Sequence, residues 1–152
     1  MKPNPTRAII RGMHIFAGLS DEALDSLAAA CRRFTAPRGR IIVREGMPGR
    51  AMFLIGKGRV VVVKNAGSRN EIPLAALGPG DVFGEMSLIE CRNRSASVRC
   101  VGPCVYYSLK SADLLKLFRG SPQQYSILIL NISRALSRRL RKMDEVFAAT
   151  AY

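Results

Sequence analysis

The chain has 152 residues, 48% of them apolar, and carries 24 Lys and Arg against 11 Asp and Glu for a formal net charge of +13. That length and apolar share suffice for one core, so a single domain spanning 1–152 is expected. No apolar run reaches the length of a bilayer span, and Met1 to Arg11 lacks the continuous apolar stretch of a secretory signal, which points to a soluble, cytoplasmic protein. Cys31, Cys91, Cys100 and Cys104 lack the short paired spacings of a zinc site or disulfide framework and are expected to be reduced thiols. The positive charge favours anionic partners without choosing among nucleotides, nucleic acids and lipid headgroups.

In chain order, Ile9, Ile10, Met13, Ile15 and Phe16 predict a small helical piece, and Ser20 followed by Asp21 and Glu22 predicts the capped start of a helix. On that helix Leu24, Leu27, Ala28 and Cys31 recur at helical spacing. From Phe34 the pattern changes. The runs Ile41 to Val43, Met52 to Ile55, Arg59 to Lys64, Ile72 to Ala75, Ser97 to Val101 and Val105 to Leu109 are β-prone and separated by Gly- or Pro-bearing turns. They predict a mainly β fold, an antiparallel β-roll of the jelly-roll type, with a hairpin tip at Asn65 to Asn70.

After Leu109, Ser111 is expected to cap a short helix ending near Gly120, and Pro122 to start a long one reaching about Phe147. On the long helix Tyr125, Ile129, Ile132, Leu136, Leu140, Met143 and Phe147 form an apolar stripe, which serves either as packing for the domain itself or as a dimer seam. Arg134, Arg138, Arg141 and Lys142 occupy the other face.

Chemistry concentrates in Gly80-Asp81-Val82-Phe83-Gly84-Glu85-Met86-Ser87-Leu88-Ile89, followed by Arg94-Ser95-Ala96-Ser97-Val98. Gly84 permits a sharp turn and close backbone approach, and the residues after it can form a helical turn whose N–H groups face an anion. Arg94 offers a planar fork of donors, and Ser95 a hydroxyl and an N–H, which together suit a singly charged phosphodiester. Glu85 would repel a phosphate, but it is a natural acceptor for a ribose hydroxyl. Phosphate plus ribose points to a nucleotide.

These residues resemble the cyclic nucleotide-binding domains of bacterial catabolite-activator-type regulators, cyclic-nucleotide-dependent kinases and cyclic-nucleotide-gated channels. The resemblance also runs through Ile15-Phe16-x-x-Leu19-Ser20, Gly39-x-Ile41-Ile42-x-x-Glu45-Gly46 and Met52-Phe53-x-Ile55-x-x-Gly58-x-Val60. It implies a β-roll flanked by helices, with a short phosphate-binding helix and a long C-terminal helix closing over the base. Gly84, Met86, Ser87, Arg94, Ser95 and Ala96 would hold the cyclic phosphate and Glu85 the ribose 2′-hydroxyl. Val82, Phe83, Arg141, Met143 and Asp144 would wall the pocket and face the base. Ser87 stands where the family usually has Ala. Ser95 occurs in cyclic-AMP-binding bacterial regulators, whereas Thr there accompanies cyclic GMP preference, so cyclic AMP is the first candidate and cyclic GMP stays open.

His14 is the only histidine and reads as structural, against a metal-dependent cupin-type enzyme. No metal, haem or iron–sulfur cluster is expected, and no nucleophile with a partner base is recognisable, so the chain is not read as an enzyme. Three functions remain. The first is a stand-alone receptor that relays occupancy through its last helix to an unknown downstream protein. The second is the sensor portion of a transcription regulator or channel whose DNA-binding module or membrane segment lies outside this chain. The third is a nucleic-acid binder using Arg134, Arg138, Arg139, Arg141 and Lys142.

Overall fold

The computed structural model describes residues 4–151. Helix α1 (Pro5–Arg11), a 3-10 turn (His14–Phe16) and helix α2 (Asp21–Ala30) open the chain. Ser20 caps α2 as expected, its Oγ accepting the Ala23 N–H at 3.2 Å, and Ala23, Leu24, Leu27 and Ala28 form its buried face.

Eight strands follow: β1 (Arg32–Ala36), β2 (Ile41–Val43), β3 (Ala51–Lys57), β4 (Val60–Lys64), β5 (Ile72–Leu77), β6 (Val82–Phe83), β7 (Ser97–Cys100) and β8 (Cys104–Lys110). They form two antiparallel sheets, in the orders β1-β8-β3-β6 and β2-β7-β4-β5. The expected roll is therefore present. Helix α3 (Glu85–Glu90) interrupts the run between β6 and β7, and helices α4 (Ser111–Gly120) and α5 (Pro122–Thr150) close the fold.

Strand alternation gives β3 two buried faces. Met52 and Leu54 join Leu109, Leu24, Leu27, Leu114, Leu128 and Ile132 in a core between the first sheet and the helices. Ile55 joins Val60, Leu77, Phe83, Val98, Cys100 and Cys104 in a second core, against which Phe53 packs.

Two strands, β1 and β6, have no counterpart in the sequence reading. The Arg32-Arg33-Phe34-Thr35 run of β1 keeps most of its side chains in water, so its apolar alternation is faint, and β6 has two residues, too few to show a period. The short helix starts one position earlier than expected. Lys110 rather than Ser111 is its N-cap, and the Asp113 carboxylate accepts the Lys110 N–H at 3.1 Å. The expected hairpin tip joins β4 and β5, with the Ser68 N–H donating to the Asn65 carbonyl at 3.1 Å.

Helix α5 is anchored at its start. Gln124 accepts the Ser20 N–H at 2.7 Å, and Asn131 donates to the carbonyls of Ile15 and Ala17 at 3.0 and 2.8 Å. Leu128 and Ile132 are buried, whereas every residue from Leu140 to Thr150 is exposed. Among the described residues no helix is long and apolar enough to cross a membrane. The four cysteines are free thiols, and burial pushes the Cys31 and Cys100 thiols up to about 12.

Candidate functional site

The segment Asn93 to Ala96 leads into the start of β7 and is stitched to the loop between β2 and β3. Gly46 N–H donates to Arg94 O and Arg94 N–H to Met47 O, both at 2.8 Å, and Pro48 bridges to Asn93. The Arg94 side chain then turns inward. It is 8% exposed, donates to the carbonyls of Gly84 and Ala51 at 3.0 and 2.8 Å, and lies 5.6 Å from the Phe53 ring centroid. Among the described residues its only hydrogen-bond acceptors are thus neutral carbonyls. Burial draws this guanidinium below its ordinary range, and the Glu85 carboxylate acts in the opposite direction.

Two glycines make room for it. Gly84, the N-cap of α3, has φ +79°, and a Cβ there would sit 2.6 Å from Arg94 Nη1. A Cβ on Gly49 would overlap the Ser87 side chain and come within 3.0 Å of Arg94 Cζ. Gly49 escaped the sequence reading because its role depends on a close approach between distant segments. Ser87 packs, buried, against that glycine.

Glu85 begins α3 and is 2% exposed. Its Oε1 accepts a hydrogen bond from Arg139 Nη1 at 2.8 Å, and Arg139 Nη2 donates to the Val82 carbonyl at 2.7 Å. Oε2 is buried with no hydrogen-bond partner among the described residues. An acceptor in that position stabilises any hydroxyl donor that reaches it, because its desolvation cost is already incurred in the fold. In the sequence Arg139 stands out only as one of the cations of the nucleic-acid-binding alternative. Its spacing of seven from Ile132 turns it back toward the buried side, which is the signal that would have found it.

Arg139 also borders a cleft of about 610 Å³ between α5 and the β5–β6 region, whose walls include Ala75, Leu77, Val82, Lys142, Met143 and Phe147. Of the proposed base-facing residues, Met143 and Val82 line this cleft. Arg141 and Asp144 are exposed and do not. Phe83 faces the roll interior, stacked on Phe53 with centroids 5.1 Å apart. Met86 lies on the outside of α3, 42% exposed, Ser95 is exposed, and Ala96 is buried. The structure thus brings Gly84, Ser87 and Arg94 together, with Glu85 joined to α5 through a residue the motif does not contain. Among the described residues no group of three or more His, Cys, Asp or Glu is placed to hold a metal ion.

Residues 33–121, more than half of the chain, match the family model of the cyclic nucleotide-binding domain. The chain is similar to the cyclic AMP receptor protein of Thermus thermophilus, with 35% identity over 135 residues, covering 89% of this chain and 61% of that protein. It is also similar to a cyclic nucleotide-gated potassium channel of Mesorhizobium japonicum, with 36% identity over 115 residues, 76% of this chain and 30% of the channel. A solved cyclic nucleotide-binding domain from Methylobacillus flagellatus superposes with a TM-score of 0.83 at 27% identity, over 95% of this chain and 82% of that one. The chain thus spans only part of these two longer relatives. With the roll, the interrupting helix α3 and the match over residues 33–121 in agreement, the chain belongs to the cyclic nucleotide-binding domain family.

Proposed function

We propose that the whole chain acts as one sensor unit that binds cyclic AMP between the roll and α5 and reports occupancy through the pose of α5. One observation carries this reading: a buried guanidinium, Arg94, and a buried carboxylate oxygen, Glu85 Oε2, both flank the turn at Gly84, and among the described residues the first has only neutral acceptors and the second no partner. A ligand with one negative charge and an adjacent hydroxyl satisfies both, and a cyclic ribose phosphate has that pair. The phosphate would lie against Arg94, Ser95 and the N–H groups of Ala96 and the first turn of α3, through Met86 and Ser87. The ribose 2′-hydroxyl would donate to Glu85, and the base would enter the cleft beside Met143. Ser95 and the similarity to a cyclic AMP receptor support adenine over guanine.

Binding without turnover is the proposed activity, since the site's chemistry is that of recognition: donors for a phosphodiester, an acceptor for a hydroxyl and an apolar base wall. The helix can report occupancy only if the ligand binds one of its poses more tightly. Arg139 supplies such a difference, because it joins α5 to the carboxylate that takes the ribose. The exposed Leu140, Met143, Val146 and Phe147 on the same helix support a seam with a second copy. The effector is an unknown downstream protein or, in the second reading, a DNA-binding or channel module. The basic-helix reading for nucleic acid is weakened because Arg139 is engaged with Glu85.

Calorimetric titration of nucleotide-stripped protein with cyclic AMP, cyclic GMP and 5′-AMP tests this. Saturable binding of cyclic AMP, weaker binding of cyclic GMP and no binding of 5′-AMP are expected. Indifference to all three would overturn the reading.

A further inference from the structure

The phosphate-facing arm has a support on the outside of the roll that lies beyond the family's cassette. Strands β4 and β7 stay in register down to Val63 opposite Ser97. One residue further the arm departs from the sheet, and side-chain contacts replace the ladder. Lys64 Nζ donates to the Ser95 carbonyl at 2.6 Å and pairs with Glu45 Oε1 at 2.5 Å. Glu45 is itself fixed, accepting the Asn65 N–H on Oε2 at 3.0 Å and donating its own N–H to Ser97 Oγ at 2.9 Å. Lys64 and the Asn65 N–H hold the Glu45 carboxyl below its usual range.

In a trans peptide the C=O of one residue and the N–H of the next point in opposite directions, and the described chain has no cis peptide. An ammonium gripping the Ser95 carbonyl from outside therefore aims the Ala96 N–H the other way. Among the described residues, neither the Ser95 nor the Ala96 N–H donates a hydrogen bond to a backbone carbonyl. Polarisation of the carbonyl also strengthens the N–H of the same peptide as a donor.

We infer that Lys64, steered by Glu45, is a positioning residue for anion binding: it orients the Ser95–Ala96 peptide so that the Ala96 N–H is presented to the phosphate of the ligand. The inference rests on the nucleotide reading above.

The test titrates wild-type, Lys64→Met and Lys64→Arg proteins with cyclic AMP, measures the melting temperature of each ligand-free protein, and follows the Ala96 amide proton by NMR at saturation. Lys64→Met should bind about tenfold more weakly, the scale of one charge-assisted hydrogen bond, with an unchanged ligand-free melting temperature and a reduced downfield shift of the Ala96 amide. Lys64→Arg should restore most of both. If the wild type binds and Lys64→Met binds equally well with an unaltered Ala96 shift, the positioning role is overturned while the nucleotide reading stands. Equal losses in both variants with a lowered melting temperature would overturn it as well, by showing general loosening. A wild type that binds no cyclic nucleotide overturns the nucleotide reading itself and this inference with it.

Discussion

The two walls of the site are built on different principles. On the roll side, Arg94 is held by backbone carbonyls from α3's N-cap and β3, and its arm is pinned by backbone bonds to the β2–β3 loop. On the helix side, Arg139 is the contact between the site and a stretch of α5 whose residues from Leu140 onward are all exposed. The roll side is thus preorganised and gains affinity by avoiding ordering cost. The helix side is cheap to move, as a reporting element must be. Affinity should reside mainly in the roll and response mainly in α5.

The largest expected effect is on the roll side. Arg94→Ala should lower cyclic AMP affinity by about 2–5 kcal/mol, read by calorimetry, because the phosphate loses its main charged partner. Glu85→Ala should cost less, about tenfold, since it removes one hydroxyl acceptor. If the two losses were equal, the division of labour proposed for the cassette would be wrong.

Arg139→Ala separates the walls. It leaves Glu85 buried without its cation, which should cost about 1–3 kcal/mol of stability, and it should speed amide hydrogen exchange in residues 136–150 while leaving the arm around Arg94 protected. Uniform protection across both would remove the distinction between a fixed and a movable wall. Further along the helix, Leu140→Glu places a charge on an apolar side chain that is 60% exposed and lies outside the walls of the cleft. The expected result by sedimentation is a shift from dimer to monomer with cyclic AMP affinity changed less than about threefold. A monomeric wild type would refute the seam.

The smallest effect lies away from both walls. Arg99 makes two hydrogen bonds to Glu71, at 2.6 and 2.9 Å, and with the Gly67 N–H holds that carboxyl at about 2, below its ordinary 4.5. A carboxyl depressed in the folded state stabilises it above pH 4.5, and that contribution is lost as pH falls toward 2. Glu71→Gln should therefore flatten acid unfolding slightly in this window, with no change at pH 7 in nucleotide affinity. A change in affinity there would tie the hairpin to the site.

Much of this was legible because it is local. The cassette from Phe83 to Ala96 is nearly contiguous, Gly84 announces its own turn, and the β-prone runs between Gly- or Pro-bearing turns marked six of the eight strands. What escaped depends on pieces far apart in the chain. Gly49 matters through Ser87 and Arg94, and Arg139 matters through Glu85, 54 positions away. The resemblance placed Arg141, Met143 and Asp144 near the base; the rotation of α5 brings Met143 to the cleft with Arg139 and Lys142 beside it, and leaves Arg141 and Asp144 outside. Helix phase is set by packing of Leu128 and Ile132, and a few degrees per turn accumulate over 29 residues.

A crystal structure grown with cyclic AMP shows directly whether the nucleotide sits between the roll and α5. The cyclic phosphate is expected within hydrogen-bond distance of the Arg94 guanidinium and the Ala96 N–H, the ribose 2′-hydroxyl on Glu85, and the base against Met143. Density for the nucleotide on the basic face of α5, with Arg94 still bound only to the carbonyls of Gly84 and Ala51, would contradict this placement.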